Sequence, residues 1–523
     1  MGRSLHSLTF ERISIPSLIG ESPTVNMPDA ENPFGLYRFL YTAGCATVLL
    51  AAGAAAWAGV TTAGPFVAVG GALLVAPLAF AVARRLREFR SRRHLPGPKP
   101  SFLLGNLADL LARGHGSRHE ALRALHAEYG PVVRLHLAWG TAPLVSLSYV
   151  SPNLHRKEFD SLRRADGTVL SRSLMGVPGG DLHKSHRQTL SPALTTKSVA
   201  RRSGVLTDVS ARYATKWREA GTTYEGLQSD LRDWSVDCLS TFLCGEDWEL
   251  PADLPRYHRA LAAIEEEVSF RAFHPFFVRW IHLGRRRRVR AAYREVAGVL
   301  GTVLRRRSER IPAGCPAHQR PDDPLDRVSE AAWSDRDRIE ELMSLVLGGA
   351  DPMSYVLSQA LVMLSRDAYV QEKARKSAEG AEEGRAYVHR VFHETLRMFP
   401  PVPFSAKFSE DRAVEEHGME IPPRTSIMWM KNEVGRNPEV FREADRFNPD
   451  RFTDREESLN SFLPFGAGPR HCVGNRLAEQ CCVAMLTEIL KNFDIVPVEN
   501  VDVRFHSTIS VVPSAVPVRL VAR

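Results

Sequence analysis

The chain has 523 residues, of which 44% are hydrophobic and 24% are charged, and its formal net charge is +8. These fractions are ordinary for globular protein, so they exclude a collagen-like or a wholly disordered chain. The positive excess is small for this length and does not by itself indicate nucleic-acid binding. The 7 cysteines are widely scattered, which argues against a disulfide framework and favours a reducing compartment around the main domain.

An uncharged stretch near the N terminus can enter a membrane. No charged residue occurs from Phe39 to Ala83, and Gly64-Pro65 divides the stretch into two apolar halves. Because a span needs about 20 apolar residues, residues 39–83 predict a transmembrane anchor with one span or a hairpin of two. A buried hairpin in a soluble domain is the alternative. Residues 1–38 form a polar segment before the anchor.

A basic and proline-rich hinge follows the anchor. Arg84 to Arg93 contains six arginines and one glutamate, and positive residues beside a span stay on the cytoplasmic side. Leu95 to Pro100 contains three prolines, which fix φ and prevent continuation of a helix. We therefore predict a hinge over residues 84–100 and a main domain over residues 101–523 that faces the cytosol.

The main domain has the pattern of a mainly helical protein with a small strand component. Residues 116–127 predict a helix, and two strands are predicted at Val132–Leu137 and Ala142–Tyr149. The middle of the domain is mostly helical in pattern, with a proline-rich loop at Arg310–Pro324. Short strands and Pro-Gly turns follow towards the C terminus. The expected fold class is mainly α with small β-sheets (α+β), in one large unit.

The most specific local pattern is a glycine-rich loop with one cysteine, Phe465-Gly466-Ala467-Gly468-Pro469-Arg470-His471-Cys472-Val473-Gly474. A phenylalanine, a glycine three residues later, and then an arginine, a cysteine and a glycine at spacings of two form a demanding pattern, and it is complete here. The loop resembles the haem-binding loop of the cytochrome P-450 superfamily of haem-thiolate enzymes. The resemblance extends from about Leu95 to the C terminus, and the anchor resembles that of the microsomal, membrane-anchored branch.

The resemblance implies haem b, iron-protoporphyrin IX, as the cofactor, with Cys472 as the axial ligand of the iron. A thiolate is electron-rich and favours cleavage of the O–O bond. Gly468 and Gly474 let the backbone approach the porphyrin. Arg470 can pair with a haem propionate, and Phe465 can screen the thiolate from water.

Two further segments resemble the family's structural triad. Glu394 and Arg397 form a Glu-x-x-Arg pair, whose spacing places both side chains on one helix face. Phe447-Asn448-Pro449-Asp450-Arg451-Phe452 resembles the segment whose arginine completes the triad. The resemblance implies that Glu394, Arg397 and Arg451 lock the cysteine loop in place. Taken alone, the first two residues would be an ordinary surface pair.

Other predicted haem contacts are basic or imidazole side chains. Gly180–Pro192 resembles the family's helix that carries Trp-x-x-x-Arg, and Arg187 matches the arginine that pairs with a propionate. His183 stands where the tryptophan is usual, and an imidazole can still donate to a propionate. Lys407 stands where an arginine often contacts the other propionate, although an exposed lysine is the alternative.

A long helix predicted over Ile339–Leu364 departs from the family's pattern. Gly348–Ser354 resembles the oxygen-activation segment, and Asp351 matches its acid. Pro352 and Met353, however, replace the usual two hydroxyl residues. The proline should kink or widen the helix, and methionine cannot donate a proton. Either ordered water relays protons from Asp351, or Asp351 is a structural hydrogen-bonding group.

These motifs favour a monooxygenase that hydroxylates or oxidatively demethylates a hydrophobic lipid, either a sterol or a fatty acyl compound. We expect O2 and NADPH as co-substrates, NADPH–cytochrome P-450 reductase and cytochrome b5 as partners, a location in the endoplasmic reticulum membrane, and no nucleic-acid partner. The missing hydroxyl residues leave open an isomerase or dehydratase that acts on an oxidised lipid without O2 or NADPH. A non-catalytic haem carrier or sensor is a further alternative.

A second basic cluster predicts membrane contact near the substrate pocket. Aromatic and aliphatic residues beside arginines suit the lipid interface, and the family's lid over the pocket lies about here; the residues are Phe270, Phe273, Phe276, Phe277, Trp280, Ile281, Arg285, Arg286, Arg287, Arg288 and Arg290. A core helix beside a solvated basic turn is the alternative. The segments expected to line the pocket are Thr168–Val177, Gly349 and Ala350, Val402–Phe404, and His506–Ser510.

Overall fold

The computed structural model describes residues 79–523 except for 103, 115–117, 138–142, 152, 154–159, 162–169, 178, 222, 225, 274–282, 312–314, 317–319, 322, 381–384, 410, 454–461 and 508–509. The predicted anchor, apart from residues 79–83, lies outside the described residues. Residues 79–91 are helical. None of the helices in the described part of the chain is long and apolar enough to cross a membrane. The contacts divide the chain after Leu95, and Pro96–Arg523 is one compact unit.

Helices dominate the described part of the chain, which confirms the mainly α prediction. The predicted loop after Arg310 separates two helices, and the helix predicted over residues 116–127 is present with slightly later bounds. In chain order the helices are α1 (Leu107–Gly114), α2 (Arg118–Tyr129), α3 (Asp181–Leu190), α4 (Thr196–Arg201), α5 (Ser203–Glu219), α6 (Leu227–Cys244), α7 (Leu254–Phe273), α8 (Leu283–Arg310), α9 (Pro324–Glu330), α10 (Asp335–Arg366), α11 (Ala368–Glu379), α12 (Ala386–Met398), α13 (Lys431–Gly435) and α14 (Asn475–Asn492).

The described strands are short and form four small sheets. They are β1 (Val132–Leu135), β2 (Leu144–Leu147), β3 (Asp160–Ser161), β4 (Thr223–Tyr224), β5 (Phe404–Ser409), β6 (Val414–Glu416), β7 (Met419–Ile421), β8 (Thr425–Met430), β9 (Phe493–Pro497), β10 (Phe505–Ser507), β11 (Val511–Pro513) and β12 (Val518–Ala522). The largest sheet has the order β1-β2-β8-β5-β3, and the others are β4-β12-β9, β6-β7 and β10-β11. β2 is parallel to β8, whereas β5 is antiparallel to β8 and places Lys407 opposite Ile427.

The main core lies where α5, α6, α10 and α14 pack against one another. Trp217 on α5 and Trp234 on α6 are fully buried. Trp217 Nε1 donates to Asp230 at 2.7 Å, and Trp234 Nε1 donates to Ser210 at 3.2 Å. Because each buried indole N–H has its acceptor, these large side chains pack in one defined orientation. The core thereby fixes the position of α10, the helix that carries Asp351.

The start of α10 is set by a capping box, and the helix begins earlier than its apolar pattern predicts. The Ser334 side chain accepts from the N–H of Asp337, and the Asp337 side chain accepts from the N–H of Ser334. This exchange satisfies two donors that the first turn of a helix leaves unpaired. The polar first turn is therefore helical, although hydrophobic periodicity predicts a start at Ile339.

A buried arginine connects α8 to the segments around it. Arg307 donates from Nε to Asp247 at 2.6 Å and from Nη1 and Nη2 to Asp323 at 2.8 and 2.6 Å. Its Nη2 also donates to the Cys244 carbonyl at 3.1 Å. Burial opposes the charged form of Arg307, but the two carboxylates outweigh burial and raise its pKa. The guanidinium therefore stays charged and, together with Arg310 at Asp247, balances two carboxylates that have almost no access to water.

Replacing Arg307 by leucine should destabilise the fold strongly. The Arg307→Leu change leaves Asp323 buried without its paired arginine and leaves Asp247 with only the partly exposed Arg310, for which the expected loss is about 3–5 kcal/mol. The midpoint of urea unfolding, followed by circular dichroism, measures the effect. Arg306→Leu is the matched control, because its partner Glu249 is largely exposed and the expected loss is below about 1 kcal/mol. Equal shifts for the two variants would contradict the assignment.

Candidate functional site

The cysteine loop, Phe465–Gly474, ends at the N terminus of α14. Gly466 and Gly468 have φ angles of 77° and 71°, in the left-handed region that glycine adopts without strain. The Cys472 N–H donates to the Phe465 carbonyl at 3.0 Å and closes the loop. Phe465 itself is half-buried against the main core. The loop therefore holds Cys472 in a fixed place just before α14.

The Cys472 sulfur lies at the floor of a cleft. Cys472 is exposed, yet burial by the surrounding protein raises the pKa of its thiol; a side chain that is accessible and still surrounded lies at the bottom of a depression. A backbone hydrogen bond from Gly474 and the positive charges of Lys431 and Arg187 act against burial and lower that pKa. These groups favour the thiolate, the form that binds iron.

Two of the sequence-predicted cations contact the backbone around the cysteine. Arg187 on α3 donates from Nη1 to the His471 carbonyl at 2.6 Å. Arg470 donates to the Leu174 carbonyl at 3.3 Å and to the Val177 carbonyl at 2.8 Å. The structure thus brings α3 and residues 170–177, which we call the 170s loop, together with the cysteine loop.

His183 and Lys407 are both buried. His183 precedes Arg187 by about one turn on α3 and is 6% exposed. Lys407 on β5 is 3% exposed, so it is not the exposed surface lysine that was the alternative. Burial lowers the pKa of Lys407 to about 8, and a nearby anion would favour its charged form.

The structure brings Glu394, Arg397 and Arg451 together in the interior. Arg397 donates from Nε and Nη2 to the two oxygens of Glu394, each at 2.8 Å. Arg451 Nε donates to Glu394 at 3.2 Å, and the N–H of Asn448 donates to the same oxygen at 2.7 Å. Because the first two side chains have no exposed area, the alternative of an ordinary surface pair is wrong.

The remaining donors of Arg397 bind the backbone of the following segment. Nη1 donates to the Gly435 carbonyl and to the Ala444 carbonyl, the latter at 2.7 Å, and Nη2 donates to the Arg446 carbonyl at 3.2 Å. The planar guanidinium therefore connects α12 to the end of α13 and to residues 444–446. A lysine has no fork of donors that could make all these bonds at once.

The predicted oxygen-activation segment lies within α10, which continues through Pro352. Asp351 is buried, and its Oδ1 accepts from Arg232 Nε of α6 at 3.2 Å. The Ser354 hydroxyl donates to the Asp351 carbonyl at 2.9 Å. Ser354 directly follows Pro352 and Met353, which replace the family's hydroxyl residues, and its own hydroxyl is therefore occupied within α10. The pairing with Arg232 gives Asp351 a structural partner that the sequence does not reveal.

Two glycines of this segment allow close approach to α10. A side chain at Gly348 would meet Met175 of the 170s loop at 3.3 Å, and one at Gly349 would meet Leu239 of α6 at 2.6 Å. Pro352 has no N–H, so the Gly348 carbonyl lacks the donor that an unbroken helix supplies. Gly348 itself is exposed and lies beside the 170s loop.

A pair of adjacent glutamates holds the 170s loop, and sequence patterning missed both. Glu341 Oε2 accepts from the N–H of Leu174 at 2.9 Å and contacts His186 Nδ1 at 2.7 Å. Glu340 Oε2 accepts from the N–H of Arg172 at 3.1 Å. Both carboxylates are fully buried. The sequence signal for this contact is two consecutive acidic residues on the apolar side of a long helix, because buried carboxylates need hydrogen-bond donors from elsewhere in the fold.

The segments expected to line the pocket are only partly described. The 170s loop contacts α10 and Arg470, as above, whereas residues 168–169 and 508–509 lie outside the described residues. The N–H of Val511 donates to the Pro401 carbonyl at 2.9 Å, which brings the β10–β11 turn beside Pro401. Phe404 packs against a separate cluster that includes Leu122 and Met428.

The fold and the cysteine site define a haem-thiolate enzyme. The chain belongs to the Cytochrome P450 family, whose family model matches residues 95–517. It is accordingly an oxidoreductase of the monooxygenase type, and the cofactor of its family is haem b.

Several plant and animal proteins are similar to this chain at low identity. The chain is 26% identical to ent-cassadiene C11-alpha-hydroxylase 1 of Oryza sativa subsp. japonica over 460 residues, which are 81% of this chain and 91% of the relative. It is 25% identical to oryzalexin D synthase of the same plant over 464 residues, with 81% and 91% covered. It is 29% identical to the mitochondrial sterol 26-hydroxylase of Rattus norvegicus over 206 residues, 36% of this chain and 39% of that protein.

The residues at the site fit haem. An accessible sulfur at the floor of a cleft, favoured as thiolate by nearby positive charge, suits an axial ligand. Near it are the half-buried arginines Arg187 and Arg470, whose charge matches the two carboxylates of a porphyrin. The glycines of the loop leave space for a flat ring to approach the backbone.

Arg397→Lys should lower the stability and haem content of the protein. The substitution keeps the charge but loses the fork that binds Glu394 and three carbonyls, so we expect a loss of about 3 kcal/mol or more. The haem-to-protein absorbance ratio and the thermal midpoint measure it. Arg390→Lys on the same helix is the control, since its pair with Asp450 is partly exposed. Full haem content in Arg397→Lys would argue against a locking role.

Proposed function

We propose that this protein is a membrane-anchored monooxygenase that hydroxylates or oxidatively demethylates a hydrophobic lipid. The observation that carries the proposal is the accessible Cys472 sulfur, held by a closed loop among cations. Two of the relatives are named as hydroxylases, of ent-cassadiene and of a sterol. These names support a hydrophobic substrate, for which we propose a sterol or a fatty acyl compound.

The proposed arrangement has an anchor over residues 39–83, a hinge over 84–100 and a haem domain over 101–523. The arginines of the hinge favour a cytosolic haem domain at the endoplasmic reticulum membrane. We propose NADPH–cytochrome P-450 reductase as the electron donor and cytochrome b5 as a second one.

Each site residue has a proposed role towards the cofactor. When bound, haem b supplies the iron at which O2 is activated by electrons. Cys472 donates its sulfur to the iron, and Phe465 limits the access of water to that sulfur. The propionates are held by Arg187, Arg470, Lys407 and His183. In this arrangement Arg187 and Arg470 each bind a carboxylate and backbone oxygens at the same time, which the five donors of a guanidinium allow.

Asp351 is proposed to hold and release protons on the side of α10 near the 170s loop. Its carboxylate accepts from Arg232 through one oxygen, and carboxylates have further lone pairs to accept from water. Water then carries the proton that the family's hydroxyl residue usually passes on.

A second candidate function follows from the same helix. Pro352 and Met353 supply no proton, and the Ser354 hydroxyl is bonded to the Asp351 carbonyl. An isomerase or dehydratase that rearranges an oxidised lipid has less need of proton delivery. The two functions differ in their requirement for electrons and O2.

The wild-type protein should form oxidised product in proportion to NADPH consumed, and Cys472→Ala should form none. The reduced carbon monoxide complex of wild-type protein should have the absorption of thiolate ligation, which the variant should lose because it has no axial sulfur. Cys315→Ala, at a partly exposed cysteine, is the control. Lipid rearrangement by wild-type protein without NADPH would instead support the isomerase.

Asp351→Asn should reduce product formed per NADPH consumed by about tenfold or more, because an amide cannot hold the proton. Ser354→Ala should change this ratio less than about twofold, since the hydroxyl is already used within α10. Ser358→Ala is the matched control, because that hydroxyl donates to the Tyr355 carbonyl in the same way at 2.7 Å. An unchanged ratio in Asp351→Asn would leave Asp351 only its structural pairing with Arg232.

Charge reversal of the lid arginines should weaken membrane association. Arg285 pairs with Glu267 at 2.6 Å, and Arg288 pairs with Glu266, so these two are partly neutralised. Arg287 and Arg290 are exposed, and the aromatic residues from 276 to 281 lie outside the described residues. We expect Arg287→Glu with Arg290→Glu to lower the partitioning of an anchor-deleted form onto anionic vesicles by about thirtyfold or more, because two positive charges are lost at about 1 kcal/mol each.

The control for this experiment reverses two arginines elsewhere on the surface. Arg201→Glu with Arg218→Glu changes the net charge equally at exposed sites on α4 and α5. Vesicle sedimentation in low salt compares the two double variants. Equal loss in both would indicate a general charge effect and would support the alternative of a solvated basic turn.

A further inference from the structure

Lys431 is a cation at the junction between β8 and the cysteine loop. Every residue of β8 is buried, and Lys431 follows it directly as the first residue of α13. Its N–H donates to the Pro403 carbonyl at 2.8 Å, and its Nζ donates to the Pro464 carbonyl at 2.8 Å. Pro464 immediately precedes Phe465, so the ammonium holds the point at which the cysteine loop begins.

Lys431 lines a small cavity of ≈ 20 Å³ together with Trp429 and Arg397. A cavity of this size holds one water if polar groups surround it. The Nε1 of Trp429, another lining residue, is buried without a hydrogen-bond acceptor among the described residues. A water that accepts from both groups would keep the charge of Lys431 partly solvated.

Lys431 also interacts electrostatically with the Cys472 sulfur. Burial lowers the pKa of Lys431 to about 8, and Cys472 raises it again; reciprocally, Lys431 lowers the pKa of the Cys472 thiol. Arg187 acts on the same sulfur and binds the His471 carbonyl. Two cations therefore hold carbonyls on the two sides of the loop, one just before Phe465 and one just before Cys472.

A positive charge beside an axial sulfur changes the redox balance of the iron. One-electron reduction adds negative charge to the iron–sulfur unit, and a nearby cation stabilises the reduced form more than the oxidised one. Hydrogen bonds from the backbone N–H groups of the loop glycines also affect the reduction potential, and that contribution is independent of the charge of Lys431. Lys431 thus adds an electrostatic contribution to the reduction potential from a side chain outside the cysteine loop.

We propose that Lys431 is a positioning residue for the axial sulfur, which anchors the start of the cysteine loop through Pro464 and raises the reduction potential of the bound haem by its charge. The proposal rests on the proposed haem-thiolate function of Cys472. It assigns to Lys431 a role in the electron-accepting step, since a higher potential makes the iron easier to reduce by its electron donor.

The test compares Lys431→Met, Lys431→Arg and Lys376→Met in the full-length haem-loaded protein. Methionine keeps the length of the side chain without its charge, arginine keeps the charge, and Lys376 is a mostly exposed lysine elsewhere. A dye-coupled redox titration should show the Lys431→Met equilibrium shifted about tenfold towards the oxidised form, or about 59 mV for one electron. Lys431→Arg and Lys376→Met should stay within about twofold of wild type.

Thiolate ligation and the reduction potential are measured in separate experiments. If the wild-type carbon monoxide complex has no thiolate absorption, the proposed function itself fails. If wild type and Lys431→Met both have thiolate absorption and equal potentials, only the role of Lys431 fails. If Lys431→Met does not retain haem, alkylation of Cys472 in the apoproteins decides, by peptide mass spectrometry. Slower alkylation in Lys431→Met than in Lys376→Met supports the charge effect on the sulfur, and equal rates overturn it.

Discussion

The buried pair of Glu394 and Arg397 is the interaction on which the haem side of the structure depends. Two charges without access to water are unfavourable unless hydrogen bonds satisfy nearly all of their donors and acceptors. Here Glu394 receives donors from two arginines and one backbone N–H, and Arg397 reaches three carbonyls besides. The surrounding backbone must therefore adopt one path, because any other would leave a charge unsatisfied.

The same logic extends outward from that pair to the cofactor site. The segment held by Arg397 begins at the end of α13, whose first residue, Lys431, holds Pro464. The cysteine loop is then held from the other side by Arg187 and is tied to the 170s loop by Arg470. Glutamates of α10 hold that loop in turn. A series of charged side chains, each bound to backbone groups, thus links the structural triad to the 170s loop and α10.

Local patterns were sufficient for much of this organisation. The cysteine loop and the Glu-x-x-Arg pair have residue types at short, fixed spacings, so each is readable within a few positions. Long apolar helices such as α10 follow from their periodicity. The burial of Lys407 did not follow, because a lysine in an alternating strand has the same pattern whether its face meets solvent or protein.

Contacts across the chain were beyond such patterns. Asp351 meets Arg232, and Glu341 meets His186, only because α10 packs on α6 and approaches α3. Neither pairing leaves a mark in the neighbouring sequence. The start of α10 was missed for a different reason, since the capping box of Ser334 and Asp337 is polar and lies outside the apolar period. Polar networks are decided by the tertiary fold, and their members become visible only there.

Pro352 has a consequence for the way in which this enzyme can respond to ligands. A helix that opens a backbone hydrogen bond to admit water can close it again, so its groove switches between two states. With proline at position 352 the bond to the Gly348 carbonyl has no donor in any state. The missing donor is therefore a permanent feature of α10, although the helix continues without a break from Asp335 to Arg366. Adaptation to different ligands must then come from the facing 170s loop, whose hold on α10 is made of side-chain hydrogen bonds that can exchange.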